Sequence, residues 1–68
     1  MNLAERCIEI RAKYNLTQTE LGFEIGRMST SQISRIENNT HRMHRAREKR
    51  ISDALDRLEK KMEGKVND

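Results

Sequence analysis

Residues 16–39 read LTQTELGFEIGRMSTSQISRIENN, and this stretch decides the fold. It holds two capping boxes. Thr17 stands three residues before Glu20, and Ser29 three residues before Gln32, so each hydroxyl can accept an orphan N–H while the later side chain reaches back. Two short helices are expected, over residues 18–25 and 30–37. Gly26 between them supplies the backbone freedom that a sharp reversal requires. Leu21 and Ile25 face inward on the first, and Ile33 and Ile36 on the second. Thr30, Ser31, Ser34 and Arg35 are left on the outer side. Two helices this short and this closely joined make one polar helix face project from the domain.

Upstream, Asn2 is the expected N-cap of a first helix ending near Lys13 or Tyr14. Leu3, Cys7, Ile10 and Tyr14 recur every three or four residues as its buried stripe, and Asn15 closes it. Gly22 sits inside the second helix at a cost of roughly 1 kcal/mol relative to alanine, which is tolerable where a neighbour must approach closely. Residues 38–44 lack an apolar period and are expected to form a loop. A longer helix is predicted over residues 45–63, with Ile51, Ala54, Leu55, Leu58 and Met62 on one stripe and Gly64 as its stop. With no strand pattern and no proline, the chain is expected to be all-α, a single four-helix domain over residues 1–68 with a longer C-terminal helix.

A chain of 68 residues buries only about 60% of the surface that its unfolded form exposes. Its composition, 34% hydrophobic and 37% charged, points to added stability from a partner subunit. The single cysteine, Cys7, excludes an intrachain disulfide and multi-thiolate metal sites, and its apolar neighbours suggest a small buried side chain. No apolar run approaches the ~18 residues of a membrane span. Glu5, Arg6 and Glu9 interrupt any secretory signal, so a cytoplasmic location is expected. The net charge of +3 is unevenly spread. Residues 27–50 carry seven basic groups against two acidic ones, for +5, while the segments on either side are each −1. The positive field thus gathers on the second short helix and the segment after it, as a polyanion-binding surface requires.

These features resemble the Cro/CI-type phage-repressor helix-turn-helix family, also called XRE-like, across roughly residues 3–58. The match is carried by LTQTEL at residues 16–21, Gly26 at the turn, and ISRIENN at residues 33–39. The resemblance implies a partly buried ion pair between Arg11 and Glu37 that locks the first helix to the third. Two departures stand out. There is one residue more than usual between Gly26 and the isoleucines, assigned to Arg27 with Met28 as the apolar turn residue. Asn39 stands where the family commonly has glycine.

The resemblance also implies that the start of the third helix enters the major groove of double-stranded DNA. Thr30, Ser31, Ser34 and Arg35 are then the base readers, with Arg35 able to bond both O6 and N7 of a guanine. Gln18, Arg27, Gln32, Asn38, Thr40, Arg42 and Arg45 are expected to hold the sugar-phosphate backbone, orienting the protein without reading sequence. His41 and His44 form an HxxH spacing, too few ligands for a zinc site and better suited to phosphate-side hydrogen bonds that strengthen as pH falls. Leu58, Met62 and Val66 are expected to form the seam of a homodimer, placing two reading helices on an inverted-repeat operator. The function expected is therefore that of a repressor or autoregulator of a phage, mobile-element, restriction or toxin–antitoxin type locus. The alternative is a protein-interaction module, antitoxin-like or anti-repressor, gripping a partner through its last helix. No nucleophile–base pair, paired carboxylates or glycine-rich phosphate loop suggests an enzyme, and no cofactor, metal or small-molecule ligand is expected. Tyr14 and Phe23, the only aromatics, are both expected in the core.

Overall fold

Asn2 starts the first helix as its position predicts, its side chain accepting the Glu5 N–H at 2.9 Å. The computed structural model, which describes residues 2–38 and 43–66, has four helices in order: α1 (Leu3–Tyr14), α2 (Gln18–Glu24), α3 (Thr30–Asn38) and α4 (Arg45–Val66). Asn15 ends α1 in the left-handed conformation, with φ 56° and ψ 48°, a geometry asparagine adopts more readily than most residues. Among the described residues there is no strand, and no helix is long and apolar enough to cross a membrane.

Both capping boxes form. The Glu20 N–H donates to Thr17 Oγ1 at 3.0 Å, and the Thr17 N–H to the Glu20 carboxylate at 2.8 Å. The Ser29 N–H donates to Gln32 Oε1 at 2.9 Å, and the Gln32 N–H to Ser29 Oγ at 3.2 Å. Between them Gly26 takes φ 137° and Arg27 φ 57°, so the extra residue of the turn is absorbed by two successive positive-φ positions. Met28 then returns to the core, its N–H donating to the Gly22 carbonyl at 2.8 Å. A Cβ on Gly22 would collide with the Met28 carbonyl oxygen and lie 3.2 Å from Ile33. The glycine that costs helix propensity is what lets the turn close on α2.

Cys7, Ile10, Leu21, Ile25, Ile33, Ile36, Ile51, Ala54, Leu55 and Leu58 form one core. Arg6, to which no sequence pattern assigns a role, fastens α1 to α4. It donates to the Ser52 carbonyl and hydroxyl at 3.3 and 3.1 Å, to Asp56 at 2.8 Å and to Glu59 at 2.7 Å. Farther along, Lys61 bonds Glu24 of α2 at 2.9 Å.

Three expectations are corrected. Gly64 does not stop α4, which continues to Val66; one glycine costs a helix only about 1 kcal/mol. Phe23 is 66% exposed rather than in the core, because it stands about 200° around α2 from the buried Leu21. Leu58 is only 2% exposed within the single chain. It continues the stripe of Ile51 and Leu55, and α1 covers that stripe, so its apolar surface is not left over for a second copy.

Candidate nucleic-acid interface

The amphipathic division of α3 builds the site. Ile33 is fully buried and Ile36 is 7% exposed, which fixes the rotation of the helix about its axis. Thr30, Ser31 and Arg35 then stand exposed, while Ser34 is half-buried. The four expected readers therefore share the side of α3 away from the core, with Ser34 at its margin. The Asn38 amide donates to Ser34 Oγ at 3.3 Å, so Asn38 orients an expected reader as well as standing beside it.

The rotation of α3 is locked from behind. Arg11 grips Glu37 through Nε at 2.7 Å and Nη2 at 2.9 Å, and donates from Nη1 to the Leu16 carbonyl at 3.4 Å. Gln18 adds a bond from Nε2 to the same carboxylate at 3.0 Å. Burial works against the charge of Glu37, but the bonds from Arg11 and Gln18 outweigh it and hold the carboxyl below its ordinary range. The ion pair implied by family resemblance is present, and Gln18 is bound into it. That leaves one hydrogen of the Gln18 amide to meet a phosphate.

The other expected backbone contacts fall into two groups. Arg27 is exposed at the turn and Arg45 at the first residue of α4. Gln32 has its amide oxygen engaged in the capping box, so only its NH2 group is open to a phosphate. Thr40, Arg42 and His41 lie outside the described residues, as do Asn39 and the side chain of Val66; His44 is exposed just ahead of α4.

Two further residues belong to this surface. Arg47 lies half-buried beside Gln32, Arg35, Ile36 and Met43, and it also borders a groove shared with Arg50, Arg57 and Gly26. No carboxylate of the described residues pairs with Arg27, Arg35, Arg45, Arg47, Arg50 or Arg57. The carboxylates of Asp56, Glu59, Glu37, Glu63, Asp53 and Glu24 are instead taken up by Arg6, Arg11, Lys13, Lys49 and Lys61. Arg47 is visible in the sequence as part of the +5 segment, but its spacing of two from Arg45 hides that it returns toward α3. The second residue is Thr19, whose Oγ1 lies 2.8 Å from that of Thr30. Nothing in the sequence marks that contact, because it depends on how α2 and α3 cross.

A helix whose buried face is fixed, whose polar side carries hydroxyls and a guanidinium, and which is flanked by arginines without carboxylate partners among the described residues suits a groove lined with phosphates. Residues 8–57 match a helix-turn-helix family model. No curated protein and no solved structure matches the chain. The matched span covers all of the turn, both short helices and α4 as far as Arg57, and the chain thus belongs to the XRE-type helix-turn-helix family of DNA-binding transcription regulators.

Proposed function

We propose that this regulator is a homodimeric repressor or autoregulator that reads an inverted-repeat operator with Thr30, Ser31, Ser34 and Arg35. The observation that carries the proposal is the fixed rotation of α3: Ile33 and Ile36 are buried while Thr30, Ser31 and Arg35 stand exposed beside arginines without carboxylate partners among the described residues. A few side chains from one helix discriminate weakly, and a two-fold dimer doubles the contacts across half-sites about 34 Å apart. With Leu58 taken by the core, a second copy would engage the end of α4 around Met62, which packs against the edge of the core and is only half-buried. Occupancy of its own promoter is the simplest mode of regulation for such a dimer.

The test is selection of bound duplexes from a randomised pool, followed by gel shifts with the selected site and with the DNA flanking the gene. Enrichment of an inverted repeat that also occurs at the gene's own promoter supports the proposal. Arg35→Ala should erase the preference for the selected site over random DNA. Affinity should fall with salt on a log–log slope of about −0.9 per phosphate neutralised. A wild-type protein that enriches no sequence, or enriches only single half-sites, overturns it.

A further inference from the structure

Two hydroxyls meet where the reading helix begins. Oγ1 of Thr19, the second residue of α2, lies 2.8 Å from Oγ1 of Thr30, the first residue of α3. Inside a helix a threonine hydroxyl can bond the carbonyl three or four residues back. In the first turn that carbonyl lies outside the helix, so both hydroxyls are turned toward another partner, and here each finds the other. Neither threonine side chain has a second hydrogen bond among the described residues. β-Branching restricts χ1 at both positions.

The contact is also held in register from both sides. Capping boxes fix the starts of α2 and α3, and the close approach of Met28 to Gly22 sets the distance between the helices. The two hydroxyls are thus brought together by the most tightly constrained part of the fold.

We propose that Thr19 is a positioning residue: its hydroxyl fixes the direction from which the Thr30 hydroxyl meets a base edge, and so sharpens the preference of Thr30 at one base pair. One of the two hydroxyl hydrogens is used in the link. When Thr19 donates, Thr30 keeps its hydrogen and seeks an acceptor such as guanine O6, thymine O4 or a purine N7. When Thr30 donates, it offers only lone pairs and seeks the amino group of cytosine or adenine. A lone threonine hydroxyl rotates to suit either kind of base. Paired with Thr19, where either oxygen can be the donor, it keeps both options but meets the base from one fixed direction. This rests on the proposed role of Thr30 as a base reader.

The experiment uses the full chain and the operator selected from a randomised duplex pool, with every single-base variant of that operator measured in turn. Thr19→Val and Thr30→Val remove each hydroxyl at nearly constant shape, and the double variant closes the cycle. Thr30→Val should flatten the preference at one base pair. Thr19→Val should reduce the preference at that same base pair by about 3- to 10-fold, leave the other positions unchanged, and add nothing in the double variant. Thr19→Ser should restore it. If Thr19→Val weakens all sequences equally, Thr19 is a backbone contact and the proposal is overturned. It is equally overturned if Thr30→Val flattens a position that Thr19→Val leaves intact. If Thr30→Val alters no base preference while Arg35→Ala does, the assignment of Thr30 as a reader fails, and this inference with it.

Discussion

Arg11 and Glu37 are joined by two parallel bonds, 2.7 and 2.9 Å long, between the last turn of α1 and the end of α3. The Glu37 side chain is 6% exposed and that of Arg11 27% exposed. This pair, with Gln18 on the same carboxylate, couples three helices through one buried charge. The orientation of α3 therefore depends on a residue of α1 that lies behind the proposed interface.

Removing the cation should be costly. Arg11→Met leaves Glu37 buried with only Gln18 as partner, and a loss of about 2–3 kcal/mol is expected, somewhat below a fully buried pair because Arg11 is partly solvated. Urea unfolding at pH 7 measures it. The pH dependence comes from the lowered folded-state pKa of Glu37. Its contribution is fully present above the ordinary value of 4.5 and is lost as pH falls through the lower folded value. The difference between wild type and Arg11→Met should accordingly shrink in that acid range. A constant difference from pH 7 down to about pH 3 would show that the pair is not its source.

Much of this arrangement is legible in the sequence, and the limits have physical causes. Period and caps reveal the four helices, because Ile33, Ile36, Ile51 and Leu55 recur at helical spacing and Thr17, Ser29 and Asn2 sit where caps must. The expected seam at Leu58 fails because sequence periodicity shows which face is apolar but not how far a neighbouring helix extends to cover it. Phe23 goes astray when its aromatic character is weighed without its angle from Leu21. The roles of Arg6 and Thr19 lie in contacts between helices, 46 to 53 residues apart for Arg6 and 11 for Thr19, which no local pattern encodes.

Gly22→Ala should destabilise the fold even though alanine is the better helix former by about 1 kcal/mol. The added methyl meets the Met28 carbonyl, which belongs to the backbone of the turn and cannot rotate aside. Overpacking of this kind typically costs about 1–3 kcal/mol. A denaturant midpoint at or above that of wild type would show that the turn can retreat without loss.

Cys7 is fully buried, and burial first of all, with the charge of Glu37 beside it, pushes its thiol up to about 11. The thiolate is the reactive species, so the native protein should react with an aromatic disulfide reagent at about pH 8 only as fast as the core opens. Reaction should become rapid in denaturant. Fast stoichiometric labelling of folded protein would place Cys7 at the surface.

Leu58 separates a core from a seam. Truncation to Leu58→Ala should cost about 2–5 kcal/mol, the range for deleting a buried leucine, because the side chain is 2% exposed within one chain. The midpoint of the variant should shift by the same amount at every protein concentration, since a contact within a subunit does not respond to mass action. Met62→Glu is the contrasting change, at a half-buried position on the next turn of α4. It should leave each chain folded by circular dichroism while moving the sedimentation coefficient toward that of a single subunit. A Leu58→Ala midpoint that recovers as concentration rises would return Leu58 to the interface between copies, and an unchanged sedimentation profile for Met62→Glu would remove the end of α4 from it.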